Sequence, residues 1–175
     1  LPEYCIDTVV QLRKFYSGPV YFIVDDMSST FLQELKQCDV TIVDYESVKD
    51  TGFLDTVSVA YHKFCVMPQL MDRKYLFIRS FERFFVLHNL MKMLDLSDVF
   101  FVELDNLLYD NPERWLDSFR VKDMAYMFDN YDRCSSGIAY IKTCSVLKRF
   151  MDHCTDYIKL NGGFLSEMGA LYSFW

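Results

Sequence analysis

Glycine is too scarce in this sequence, 6 in 175 residues, to build a phosphate-cradling loop, and no Walker-type or GxGxxG arrangement occurs. That absence counts against nucleotide hydrolases and dinucleotide oxidoreductases. No nucleophile elbow is present either. Basic residues are outnumbered, 18 Lys and Arg against 25 Asp and Glu, for a net charge of −7. Such a chain lacks the basic face that neutralises nucleic-acid phosphates, so no nucleic acid is expected as partner. No apolar run approaches bilayer-spanning length, so no membrane segment is expected. Cys5, Cys38, Cys65, Cys134, Cys144 and Cys154 follow no compact framework spacing, and no Asn-x-Ser/Thr glycosylation site occurs. Free thiols in a reducing compartment, hence a cytoplasmic setting, are the expectation. Leu1-Pro2-Glu3 shows neither an initiator Met nor a signal pattern, which suggests a piece of a longer protein with additional domains.

What is present is apolar: 51% hydrophobic and 17% aromatic residues suffice for one buried core. With no repeat and no Pro/Gly/Ser linker, 1–175 reads as a single domain. The spacing predicts helices over 6–16, 29–37, 75–94, 144–160 and 164–174. Continuous apolar runs predict strands over 20–24, 40–43 and 99–102, buried on both faces, with further strands over 124–128 and 137–141. The stretch 44–57 reads as loop, and acceptor-binding loops are placed within 44–74. Helix alternating with buried strand predicts an α/β sandwich with a mainly parallel sheet.

Ligands of open α/β sheets sit beyond the carboxyl ends of the strands. Two clusters stand there: Asp25-Asp26-Met27-Ser28 after one strand, and Glu103-Leu104-Asp105-Asn106 after another. In an extended segment residues i and i+2 project to one side, so Glu103 and Asp105 are placed to share a divalent cation. The plainer reading is a polar strand end entering a turn. Asp25 and Asp26 suit a base or ribose, or else cap the following helix. Arg79 and Arg83 share a helix face and suit either phosphate contact or an ion pair with Glu82. Gly137 permits a close backbone approach. Glu167 suits a general base, or else an acid in a first helical turn. His62, Cys65, His153 and Cys154 repeat no zinc-finger spacing.

In their order along the chain these motifs resemble GT-A glycosyltransferases. LPEYCIDTVVQLRKFYSGPVYFIVDDMSS is similar to the family-2 opening, and DVFFVELDNLLYDNP to the strand carrying Asp-x-Asp. FERFFVLHNLMKML resembles the helix before that motif, SSGIAYIK the Asn-Ser-Gly strand, and SEMGALY the segment with an acid near the acceptor. The resemblance implies a GT-A (Rossmann-like) three-layer sandwich with a mainly parallel central sheet, its first strand lying before Leu1. It implies a metal-dependent transfer of sugar from a nucleoside diphosphate donor, UDP-sugar favoured, to a hydroxyl of a glycan or glycoprotein acceptor. Residue by residue it places Asp25 and Asp26 on the base, Arg83 beside the diphosphate, and Glu103 on ribose or metal. Asp105 takes the Mn²⁺ or Mg²⁺, and Glu167 the proton. Glu103 stands where the family has Asp, and Ser135 where it has Asn. These departures motivate an alternative, a non-catalytic nucleotide- or carbohydrate-binding module derived from a glycosyltransferase. A nucleotidyltransferase is disfavoured because its glycine-rich basic loop is missing.

Overall fold

The computed structural model describes residues 2–52, 74–160 and 167–174. Along the chain run α1 (Tyr4–Arg13), β1 (Tyr21–Val24), α2 (Leu32–Gln37), β2 (Thr41–Asp44), α3 (Tyr45–Val48) and α4 (Lys74–Leu94). Then follow β3 (Val99–Val102), a 3-10 turn (Pro112–Trp115), α5 (Leu116–Phe119), β4 (Met124–Asn130), β5 (Arg133–Ile141), α6 (Cys144–Leu160) and α7 (Glu167–Phe174). Of the expected acceptor-loop region, 53–73 lies outside the described residues, and so do His62, Cys65 and the start of the expected helix 164–174. The stretch from 44, read as loop, instead contains α3, which Asp44 caps by accepting from the Glu46 N–H at 3.0 Å.

The expected GT-A sandwich with a mainly parallel central sheet is overturned. β1 and β2 form a two-stranded parallel sheet with Tyr21 opposite Thr41 and Val24 opposite Asp44. The other three strands form a separate antiparallel sheet in the order β3-β5-β4. The reason is the link between β4 and β5. A turn at Tyr131 and Asp132 joins them directly, and a connection that short permits only antiparallel pairing. β5 then lies along β3, with Val102 opposite Ile138. Apolar runs as short as 124–128 and 137–141 carry no mark of direction. Nor is β3 buried on both faces: all four of its residues are half-buried.

The largest cluster of buried side chains lies between the antiparallel sheet, α4, α6 and α7, and includes Phe84, Phe150, Ile141, Leu147 and Leu171. The Phe84 ring meets Phe150 edge-on at 4.8 Å between centroids, a favoured geometry for aromatic quadrupoles. α6 buries Val146, Leu147, Phe150, Met151, Cys154 and Ile158, one stripe of a 3.6-residue period. α4 is apolar around most of its circumference because it serves two clusters. Phe81, Phe84 and Met91 face the large one, while Val86 and Leu90 face Val43 and Val48. A third cluster joins α1, β1 and α2 through Cys5, Val9, Phe22, Val24 and Leu35. The five described cysteines are free. Among the described residues, no helix is long and apolar enough to cross a membrane.

Two tyrosines tie these layers together. The buried Tyr140 hydroxyl donates to Asp98. The Tyr126 hydroxyl donates to the Leu171 carbonyl at 2.7 Å. Burial pushes the pKa of both phenols up to about 12. In the unfolded chain the same groups ionise near pH 10. Their contribution is therefore complete below about pH 10 and is lost as pH rises toward 12. Burial also pushes up the thiols of Cys5, Cys134, Cys144 and Cys154, so denaturant midpoints should begin to fall near about pH 9 and fall more steeply above about pH 10; a profile flat to about pH 12 contradicts the assignment. Phe84→Ala should cost about 3–5 kcal/mol in the same assay, from lost transfer energy plus the cavity left behind.

Candidate functional site

Between the two sheets runs a cleft of about 760 Å³. α4 lines one wall through Leu76, Ser80, Arg83, Leu87 and Leu90, residues that share a helix face. α1 lines another through Tyr4, Thr8 and Leu12. Glu103, Asp105 and Asn106 belong to the same cleft, at the carboxyl end of β3. α1 is fastened to that end by the Thr8 hydroxyl, which donates to the Leu104 carbonyl at 2.5 Å.

Arg83 brings the expected site residues together. It projects from the middle of α4, and its Nη1 pairs with Glu103 just after β3. Its Nη2 pairs with Glu167, the first residue of α7, and donates to the Ser136 hydroxyl at 2.6 Å. Ser136, buried on β5, donates in turn to Glu167 Oε1 at 3.0 Å. The guanidinium carbon lies 5.4 Å from the centroid of Phe101 and 5.5 Å from that of Phe84, within cation–π range. Burial lowers the Arg83 pKa, opposed by the negative charges of Glu167 and Asp105. Guanidinium basicity is high enough that Arg83 stays a cation. Its buried Nε has no partner, the one such side-chain atom among the described residues.

Asp105 is placed differently. β3 ends at Val102, and Glu103–Asn106 is a turn closed by the Asn106 N–H to the Glu103 carbonyl at 3.0 Å. The same-side argument for residues i and i+2 needs extended backbone, so the turn replaces it. Glu103 reaches Arg83, while Asp105 is exposed and accepts from Asn106 Nδ2 at 3.0 Å. β5 passes close behind: a Cβ on Gly137 would lie 3.5 Å from Asn106 Nδ2 and 3.6 Å from Glu103 Oε2. Those two are ordinary contact distances; the tight neighbour is the end of the Met127 side chain, 3.0 Å from that Cβ, so the space Gly137 leaves is taken by Met127.

Asp25 and Asp26 are not brought to this cluster. Both are exposed after β1 and neither lines the cleft. Asp26 Oδ1 accepts from the Ser28 N–H at 2.9 Å and the Ser28 hydroxyl at 2.6 Å, bonds that lower its pKa. That closes a local turn, and α2 begins later with no side-chain cap. Arg79 follows the ion-pair reading: it binds the buried Glu82 at 2.6 Å and lies over the Tyr45 ring. His153 bonds to Ser173 at 2.8 Å.

A divalent cation has limited but usable donors here. Among the described residues no group of three or more His, Cys, Asp or Glu side chains gathers to hold a metal. A magnesium-type ion, however, takes one or two carboxylates and completes its shell with water and substrate phosphate. Asp105, exposed and outside the Arg83 cluster, is the carboxylate able to offer such an ion a ligand, while Glu103 is engaged by Arg83.

No protein-family model matches the chain, and no curated protein matches it. Three contributors had no role in the expected site: Ser136, Thr8 and Asn106, the last named with the Glu103 cluster but given no task. Ser136 was legible as a polar residue whose alternation on β5 puts it on the side of Cys134 and away from solvent. Asn106 and Thr8 carry no such signal, since their roles depend on the turn and on the docking of α1.

Arg83→Met should destabilise the fold by about 3 kcal/mol, because it leaves two carboxylates facing each other in a largely buried site. Asp105→Asn should stay within about 0.5 kcal/mol of the parent. Urea denaturation of both variants tests this; equal, small losses would mean that Arg83 does not hold the cluster.

Proposed function

We propose that this chain is a metal-assisted glycosyltransferase acting on a nucleoside diphosphate sugar, with UDP-sugar the favoured donor and a hydroxyl of a glycan or glycoprotein the acceptor. The observation that carries the reading is the meeting of Glu103, Arg83 and Glu167 from three separate elements beside the exposed Asp105; Arg83, Glu103 and Asp105 line the cleft, and Glu167 is buried against Arg83. Transfer breaks the bond between the sugar's anomeric carbon and the diphosphate oxygen, and forms one to the acceptor oxygen. A bound Mn²⁺ or Mg²⁺ supplies charge neutralisation on the departing diphosphate.

Each residue has a distinct task. Asp105, with Glu103, would hold the ion. Arg83 fixes Glu103 and Glu167 in place and adds positive charge near the leaving group. Glu167 takes the acceptor's proton in an inverting reaction; its two hydrogen bonds, from Arg83 and Ser136, both land on Oε1, leaving Oε2 for that role. Asp25 and Asp26, exposed beyond β1, are assigned to the base only if donor binding draws that turn toward the cleft.

A second reading has its own support. Arg83 already pairs with both Glu103 and Glu167, so the cluster is self-neutralised to a degree that suits a structural strut in a non-catalytic nucleotide- or carbohydrate-binding module. Titration calorimetry with UDP, with and without Mn²⁺, separates the readings. Metal-dependent binding, weakened at least tenfold by Asp105→Asn, is expected of the donor site, together with release of UDP from a hydrolysed or transferred donor. Binding without turnover selects the module. No binding of UDP, GDP or dTDP by folded protein sinks both.

A further inference from the structure

Arg83 holds its partners unequally. Its Nη2 carries both bonds to the interior, to the buried Ser136 hydroxyl and to Glu167, whose side chain is 10% exposed. Its Nη1 carries the bond to Glu103, whose side chain is 34% exposed. A terminal guanidinium nitrogen has two N–H groups, so the Nη2 arm is fully committed and the Nη1 arm is not. The Nε is buried with no partner among the described residues, which leaves the guanidinium incompletely satisfied in this arrangement. Arg83, Glu103 and Asp105 line the cleft, whereas Ser136 and Glu167 do not. A ligand entering the cleft therefore meets the Glu103 arm first.

Burial decides which arm yields. Water screens an ion pair open to solvent, so separating it costs little. Breaking a buried pair leaves an uncompensated charge and costs far more. The Glu167 arm is the anchor, and the more open Glu103 arm is the one that releases. The Glu103 backbone is fixed, its N–H donating to the Gly137 carbonyl at 2.9 Å, so release needs side-chain rotation alone. Asp105 follows two residues later, exposed, and its charge also acts on Arg83. Three carboxylates thus share one guanidinium.

Each half of the Arg83–Glu103 pair is what one half of a metal–diphosphate donor requires. A divalent ion at Asp105 seeks a second carboxylate, and the guanidinium already on Glu103 repels it. A diphosphate seeks a guanidinium, and Glu103 already neutralises that arm. Cation and anion displace opposite halves of one pair, so binding of either frees a group for the other. Coupling of this kind is reciprocal.

We propose that the Arg83–Glu103 pair is an autoinhibitory latch on the donor site, opened jointly by a divalent cation and a nucleoside diphosphate. The latch rests on the donor-site reading above and regulates that same site. Closed, it withholds Glu103 from the metal and Nη1 from phosphate. Open, Glu103 turns to the ion at Asp105 and Nη1 meets the diphosphate, while Ser136 and Glu167 keep Arg83 anchored. Nucleotide without metal has to open the latch alone and binds weakly.

Titration calorimetry of UDP on the whole chain, in EDTA and in Mn²⁺, tests the latch. Without metal, Glu103→Gln should bind UDP about tenfold more tightly than the parent, because Nη1 loses the charge that holds it. Asp105→Asn removes an equal charge without releasing Arg83 and should gain less than about threefold. Mn²⁺ should tighten the parent by about tenfold or more and Glu103→Gln by less than about threefold. Glu103→Asp, a methylene short of Arg83 with its charge kept, should gain without metal and still respond to Mn²⁺; it carries the test if the Gln variant does not fold. Metal-free binding by the Glu103 variants no tighter than the parent's, or an equal gain in Asp105→Asn, overturns the latch and leaves the donor site standing. No binding by the parent or any variant, with or without Mn²⁺, fails the donor reading and the latch with it.

Discussion

Arg83 is the constraint on which the rest depends. A guanidinium that is only about one-fifth exposed must be neutralised, and no single element of this chain does it. β3 contributes the carboxylate that follows it, α7 contributes its first residue, and β5 contributes a buried hydroxyl. The position of α7 follows from this as much as from its apolar contacts. Its N-terminus carries the partial positive charge of the helix dipole and presents Glu167 there, which Arg83 then grips. Buried ion pairs add little net stability over a well-packed apolar substitute, yet breaking one is expensive. Arg83 therefore specifies an arrangement more than it strengthens it.

The two helices that flank the cleft explain how separate sheets remain one body. α4 contributes Phe84 to the cluster against the antiparallel sheet and Val86 to the cluster beneath β2, so one rod serves both. Leu104, just past β3, packs into the cluster of α1, β1 and α2, while the Thr8 hydroxyl holds its carbonyl. Helical links of this kind let β1 and β3 keep unpaired edges without the fold coming apart. They also account for the half-buried state of every residue in β3, a strand whose composition reads as fully interior.

The type and order of the longer elements were legible, because those follow from periodicity, whereas α3 was read as loop and the turns over 112–119 were not read at all. The long apolar helix now called α4, the strand ending at Val24 and the amphipathic stripe of α6 all stand where their spacing put them, though that strand alternates half-buried and buried residues instead of being buried on both faces. Pairing was not legible. Direction is set by connection length, and the turn at Tyr131 and Asp132 carries no Asn-Gly or Asp-Gly signature to announce a hairpin. The site divided along the same line. Glu103 and Glu167 were found as residue types at element ends and Arg83 as a basic residue within a largely apolar helix, and their convergence needed only that those elements pack together. Asp105 was identified on an argument for extended backbone that the turn at Glu103–Asn106 replaces. Asp25 and Asp26 rested on a strand-end rule drawn from continuous parallel sheets, and with two separate sheets that rule loses its common rim.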